Sequence, residues 1–226
     1  QPNWRDDLRD FKKLGKPRLF FAVTAGAMDS MVNHYTANLR LRSNDAYTPG
    51  GKAGFRPDRT VDTYTQILKK LYPHTPVVVG GIEASLRRLT HYDYWSNSLQ
   101  RSMLVTSGAD LLIYGMGDKP IREVAKALRN GFNMKLLRGL RQVGFIADKA
   151  YVERLYNGSA KVLYSFEECV EDKTKFAKNF TEIETLSNMM ECNTTLIESV
   201  GDSYVVITPP HETLTTEELD HSFDLP

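Results

Sequence analysis

The sequence predicts an α/β protein built on a doubly wound, mostly parallel sheet, and three observations carry that expectation. Short runs of unbroken hydrophobicity end in glycine, helical patterns lie between those runs, and the order strand, glycine turn, helix, strand repeats as in βαβ units. The runs are residues 18–26 (RLFFAVTAG), 76–81 (PVVVGG) and 109–117 (ADLLIYGMG). Continuous rather than alternating hydrophobicity marks strands buried on both faces, as in a parallel sheet covered by helices. Weaker strand candidates are Val143–Ala147, residues 161–164 and residues 204–208.

The helices have readable limits. Val61, Tyr64, Ile67, Leu68 and Leu71 follow helical spacing, and Pro73 stops that helix. Asp118 is expected as an N-cap with Pro120 in the first turn, followed by Ile121, Val124, Ala125 and Leu128 up to a terminating Gly131. Residues 166–200 turn acidic, polar and helix-prone, and a return strand over 203–208 precedes Pro209 and Pro210. Residues 214–226 read as a connector, with Thr215 or Thr216 opening a short helix over 217–220. Two units are therefore expected. Residues 1–165 form an α/β domain, and residues 166–226 an acidic helical appendage with a return strand and a connector. The opening Gln-Pro-Asn-Trp suggests that the first unit is truncated at its N-terminus.

Composition narrows the class. With 226 residues, 41% hydrophobic and 25% charged, the chain can bury a real core and is not of disordered type. No run approaches the roughly 20 apolar residues that span a bilayer, and no basic-then-apolar leader is seen. The only cysteines, Cys169 and Cys192, lie 23 residues apart, without metal-ligand spacing. A cytoplasmic location and no membrane contact are expected. Charge is uneven: residues 1–165 hold 26 Lys/Arg against 14 Asp/Glu, and residues 166–226 hold 3 against 14. That split reads either as two solvated faces of opposite sign or as an acidic tail folded back on a basic body. A basic face left over could attract nucleic acid or a polyanionic cofactor. No Lys/Arg block with interleaved aromatics supports nucleic acid, so that stays a minor reading.

In an open parallel sheet, ligands bind beyond the carboxyl ends of the strands. Three segments occupy that place. The first, residues 24–60, carries Asp29, Ser30, His34, Tyr35 and Arg59, and is longer than a strand-to-helix loop requires. The second, residues 80–97, carries Gly80, Gly81, Glu83, Ser85, Arg87, Arg88, His91 and Asp93 with three large aromatics. A Glu, a His and an Asp can exchange protons, and a histidine beside carboxylates titrates near neutrality. The third, Gly115-Met116-Gly117-Asp118, precedes a helix, where free amides favour anions, although a capping Asp118 would use them itself. Phosphate-loop, zinc-protease and serine-hydrolase signatures are absent, and two cysteines cannot supply an iron–sulfur cluster.

Taken in order, TAGAMDSMVNHYTA, DAYTPGGKAGFRPDR, GGIEASLRRLTHYDYWS and LLIYGMGDKP resemble the YgiQ-like family of radical SAM proteins, as do SYVVITPP and LTTEELDHSFDLP near the end. The resemblance covers essentially the whole chain. It implies a long protein in which an N-terminal α/β domain precedes a radical SAM barrel, whose CxxxCxxC motif holds a [4Fe–4S] cluster and S-adenosylmethionine. That motif is absent here, so the implied cofactors belong to the parent protein and none to this chain. The implied partner is the protein's own downstream barrel, together with an unknown substrate. The family's first βα unit is expected ahead of Gln1. More loosely, the strand–glycine pattern is similar to the cobalamin-binding, Rossmann-like domains attached to many radical SAM enzymes. Their GGxHxT and GEGE turns would fall at Gly80, Gly81, Gly115 and Gly117. Glu83 stands where histidine is usual and no DxHxxG is present, which argues against cobalamin. The expected function is an accessory domain that caps the barrel and helps enclose substrate. The alternative is a self-sufficient binding module for a corrinoid or a nucleotide.

Overall fold

The three glycine-ended runs become adjacent strands. The structure, a computed structural model, describes residues 2–155 and 160–224. From the N-terminus, α1 (Arg9–Lys12), β1 (Phe21–Val23) and α2 (Ser30–His34) come first, and a 3-10 turn at Pro49–Gly51 leads to α3 (Thr60–Leu71). The next stretch holds β2 (Val77–Val79), α4 (Gly81–Leu86), the short pair β3 (His91–Asp93) and β4 (Ser98–Gln100), and α5 (Met103–Ser107). Then follow β5 (Leu111–Ile113), α6 (Asp118–Arg129), a 3-10 turn at Leu136–Gly139, β6 (Val143–Ala147) and α7 (Lys149–Leu155). The last part is β7 (Ala160–Val162), α8 (Phe166–Glu171), α9 (Lys173–Ser187), β8 (Thr195–Val200), β9 (Ser203–Ile207) and α10 (Thr216–Phe223).

Seven strands form one sheet in the order β1-β2-β5-β6-β9-β8-β7, and β3 pairs with β4 apart from it. The pairings β1–β2, β2–β5 and β7–β8 are parallel, whereas β6 and β9 run antiparallel to their neighbours. The β8–β9 hairpin turns through Gly201 and Asp202, with Gly201 at φ +58° supplying the left-handed residue a tight hairpin needs. Side-chain alternation splits the core over two faces. Val77 and Val79 of β2, Leu112 of β5 and Ile207 of β9 join a cluster with Val61 and Leu68 of α3 and Leu104 of α5. Val78, Leu111, Ile113 and Val206 join Val124 of α6 and Val152 of α7 on the other face. The α/β expectation, with helices wound over both faces of one sheet, holds. The segments read as strands and helices from periodicity stand where they were placed.

Two details differ. Gly117, not Asp118, is the N-cap of α6, because the chain is already helical at Asp118; that carboxylate sits in the first turn, where the helix dipole favours it. The helix-prone reading of 166–200 fails at its end: Thr195–Val200 is a buried strand, disguised by Glu198 in the middle of a β-branched run. Residues 166–224 thus contribute β8 and β9 to the same sheet as β1, β2, β5 and β6, besides three helices. The acidic segment also meets the basic body through surface ion pairs, Lys119–Glu218 at 2.8 Å, Lys161–Glu182 at 3.2 Å and Arg101–Glu167 at 3.6 Å. Among the described residues no helix is long and apolar enough to cross a membrane.

Glu198 fixes the loop ahead of β3 to the sheet. Only 1% exposed, it accepts from the Thr90 amide at 3.1 Å and from the Thr90 hydroxyl at 2.8 Å. Burial pushes its carboxyl up to about 7 from the ordinary 4.5, and the Thr90 bonds only partly oppose this. The folded protein therefore binds this proton more tightly than the unfolded chain. The associated stability is full below about pH 4.5 and is lost as pH rises through about 7. That difference corresponds to roughly 3 kcal/mol. We expect the urea midpoint to decline across this window and Glu198→Gln to flatten the decline.

Candidate functional site

The turn after β2 sets the site. Gly80 is extended, and Gly81 lies at φ +84°, where a Cβ would come within 2.4 Å of the Thr24 hydroxyl. The chain can therefore enter α4 at once and bring Glu83 beneath the loop that follows β1. Glu83 is fully buried. One of its oxygens accepts from the Ser30 hydroxyl at 2.5 Å and the Ser30 amide at 3.3 Å. The other accepts from the Val61 amide at 3.1 Å and faces Arg87 Nη1 at 3.3 Å. The Val61 amide belongs to the first turn of α3, which has no side-chain cap, so Glu83 satisfies a donor that the helix cannot. Burial drives the Glu83 carboxyl above the usual range, opposed by the Arg87 charge and the Ser30 and Val61 bonds. Arg87 then continues to Asp29 at 2.8 Å, and the other Asp29 oxygen caps α2 by accepting from the Met31 and Val32 amides.

A second network orders the long loop. Asp45, 2% exposed, accepts from the Asn33 side-chain Nδ2 at 2.7 Å, Arg56 Nε at 3.0 Å and the Tyr47 backbone amide at 2.9 Å. Burial alone would raise its carboxyl, yet these donors outweigh burial and hold it below the usual range. His34 lies between two carboxylates, with Nδ1 2.9 Å from Asp58 and Nε2 3.3 Å from Asp45. Tyr35 donates to Asp58 at 3.0 Å, and burial together with that carboxylate raises its phenol pKa. Arg59 bridges outward to Asp93 at 2.9 Å. Burial pushes the Asp93 carboxyl up, but the Ser96 bonds and the Arg59 charge prevail and keep it low.

Asp29 and Arg87 of the first network and Asp93, the partner of Arg59, open on a cavity of about 530 Å³. Asp29, Arg87, Arg88, His91 and Asp93 reach its wall, and Tyr92, Trp95, Phe176 and Phe180 supply the aromatic part. His91 Nδ1 donates to the Leu89 carbonyl at 3.1 Å, which leaves Nε2 as the nitrogen without a proton. Burial pulls its pKa down to about 4, and the Arg87 and Arg59 charges add to that. The expectation that His91 titrates near neutrality is therefore corrected, because burial outweighs the nearby carboxylate, and the ring is neutral at pH 7.

A separate crevice of about 360 Å³ opens at the carboxyl ends of β1, β2 and β5, and Gly80, Gly81, Gly115 and Gly117 all line it. Ser85 joins the turns around it, donating to the Gly81 carbonyl at 2.8 Å and accepting from the Gly115 amide at 2.9 Å. Among the described residues no group of three or more His, Cys, Asp or Glu is placed to share a metal ion. Cys169 and Cys192 are both buried, and burial raises the Cys169 thiol to about 11. These residues do not fit a cluster, which needs three or four thiolates.

Of the expected site residues, Asp29, Arg87, Arg88, His91 and Asp93 share one cavity, Ser30 and Glu83 lie buried behind it, and Arg59 touches it through Asp93. His34 and Tyr35 belong to the Asp45–Asp58 branch, and Ser85 to the glycine crevice side. Sequence reasoning missed the wall contributed by α9. Phe176, Phe180 and Ile183 recur at i, i+4 and i+7 in a segment judged by its acidity, and that stripe was the available signal.

The sequence matches the family described as Radical SAM N-terminal over residues 1–226. It is 55% identical over its whole length to a UPF0313 protein of Porphyromonas gingivalis, of which it covers 35%. It is 52% identical to a UPF0313 protein of Bacteroides thetaiotaomicron, covering 38% of it, and 44% identical to one of Clostridium botulinum, covering 34%. The chain thus spans about a third of the length of these relatives. No solved structure matches it.

Removing the central carboxylate should unfold the site first. Glu83→Ala leaves the Val61 amide and the Ser30 hydroxyl without their acceptor and Arg87 with a single counter-ion. We expect a loss of about 3 kcal/mol or more in chemical denaturation.

Proposed function

Since the chain belongs to the Radical SAM N-terminal family, we propose that it is the accessory domain of a radical SAM iron–sulfur enzyme, closing over the catalytic barrel and helping to enclose its substrate. The domain is not catalytic alone. The [4Fe–4S] cluster and S-adenosylmethionine belong to the barrel, which is the domain's partner, in a cytoplasmic protein. The observation that carries this reading is the convergence of Asp29, Arg87, Arg88, His91 and Asp93 on one cavity whose other wall is aromatic. Such a mixture of convergent polar groups and apolar surface is what substrate pockets offer. Their charges are fixed in advance: Arg87 is held by Asp29 and Glu83, and Asp93 by Arg59 and Ser96. These residues bind and orient. The neutral His91 accepts a hydrogen bond at Nε2 rather than delivering a proton.

The glycine crevice favours a second reading, a binding module for a corrinoid or a nucleotide, because four glycines leave backbone open at the carboxyl edge of parallel strands. Titration with cobalamin, followed in the visible spectrum, separates the two: saturable binding supports the module and an unchanged spectrum the cap.

In the full-length protein, reconstituted without oxygen, His91→Ala should lower substrate turnover by about tenfold or more, the loss of one oriented hydrogen bond. Reductive cleavage of S-adenosylmethionine without substrate should stay within about twofold of the parent. Turnover unaffected by His91→Ala would remove the substrate-enclosing role.

A further inference from the structure

Arg88 stands in the wall shared by the 530 Å³ cavity and a second cavity of about 270 Å³, which also contains Tyr114 and Ser187. Its neighbour Arg87 is matched by two carboxylates. Arg88 makes no salt bridge within 4.0 Å among the described residues. Its Nη1 donates to the Ser85 carbonyl at 2.6 Å, Nη2 meets the Ser187 hydroxyl only at 3.5 Å, and Nε has no partner. The guanidinium lies over the Tyr114 ring, 5.2 Å from its centre, which disperses some charge but supplies no anion. Burial lowers its pKa, while Glu184 on α9 acts on it from a distance without pairing. A guanidinium largely removed from water, with no directly paired carboxylate, is costly unless a ligand completes it.

The remaining charges define what that ligand is. Asp29 and Asp93 in the cavity wall are already matched by Arg87 and Arg59; Glu184 also lines the cavity but makes no ion pair with Arg88 among the described residues, so no carboxylate occupies the Arg88 fork. A guanidinium fork suits planar, paired acceptance by a carboxylate or a phosphate. The aromatic walls, with Trp95 and the half-exposed Phe180, suit an apolar or ring-bearing body. We propose that the cavities flanking Arg88 bind a ligand whose terminal oxyanion pairs with the Arg88 guanidinium while its apolar body lies against Trp95 and Phe180. This names the substrate class and rests on the reading of this cavity as the substrate side.

The test is calorimetric titration of the full-length protein with phenyl phosphate, 3-phenylpropionate and inorganic phosphate, at matched ionic strength in chloride. Phenyl phosphate and 3-phenylpropionate share the phenyl ring and differ in spacer and head, so the tighter one identifies the favoured class of oxyanion-bearing ligand. At least one is expected to bind, and Arg88→Gln to weaken it about tenfold or more. Glu184→Gln should retain or strengthen binding, since it removes a competing anion. Phe180→Ala, a change at an exposed position with little risk to folding, should weaken both phenyl probes and leave inorganic phosphate unchanged. Binding that survives Arg88→Gln, or no binding by either phenyl compound, overturns the proposal. The capping role fails separately: binding as described with full turnover in His91→Ala supports this site while removing that role. Reduced turnover in His91→Ala without any probe binding overturns this site alone.

Discussion

A carboxylate taken out of water must be met by donors, and Glu83 is met from three directions at once. Ser30 comes from the loop after β1, Val61 from the start of α3, and Arg87 from the end of its own helix. Those contacts bring together segments that are 53 and 22 residues away along the chain. They also neutralise Arg87, which in turn neutralises Asp29 and so secures the cap of α2. The strands are short and the loops long, so this polar knot, more than further apolar packing, gives the carboxyl edge a defined shape. Its position depends on Gly81, whose backbone and missing Cβ let α4 begin directly at the end of β2.

The site's electrostatics follow from the same principle of satisfied burial. Asp45 and Asp93 are held ionised because donors outnumber the cost of burial, whereas Glu198 and His91 are displaced toward neutrality because donors are too few or misplaced. Arg88 is the exception, a largely buried cation without a directly paired carboxylate among the described residues. Matched charges maintain shape and an unmatched one seeks a ligand, which is why the two arginines, adjacent in sequence, receive different roles here.

Much of this was legible in the sequence for physical reasons. Val77–Val79 and Leu111–Ile113 read as buried strands because they are apolar on both faces, and α3 and α6 because their apolar residues keep the helical period. The density of polar and aromatic residues after β2 marked the cavity lining. The knot was harder to read: nothing local tells that Glu83 will meet Val61, since the partner is a backbone amide. Strand β8 was hidden because a buried Glu198 looks like a solvated one until Thr90 is placed beside it. The α9 wall was hidden because its charge described one face of the helix while Phe176, Phe180 and Ile183 formed another. His91 was misjudged because composition counts neighbouring carboxylates but not burial.

The most direct test of the central claim is amide hydrogen exchange on the parent protein and on Glu83→Gln, which keeps the shape and removes the charge. If Glu83 organises the carboxyl edge, residues 29–34 and 60–63 lose protection together, while β6, β8 and β9 keep theirs. Unchanged exchange in both segments, or a uniform loss throughout the sheet, would contradict a local knot built on this carboxylate.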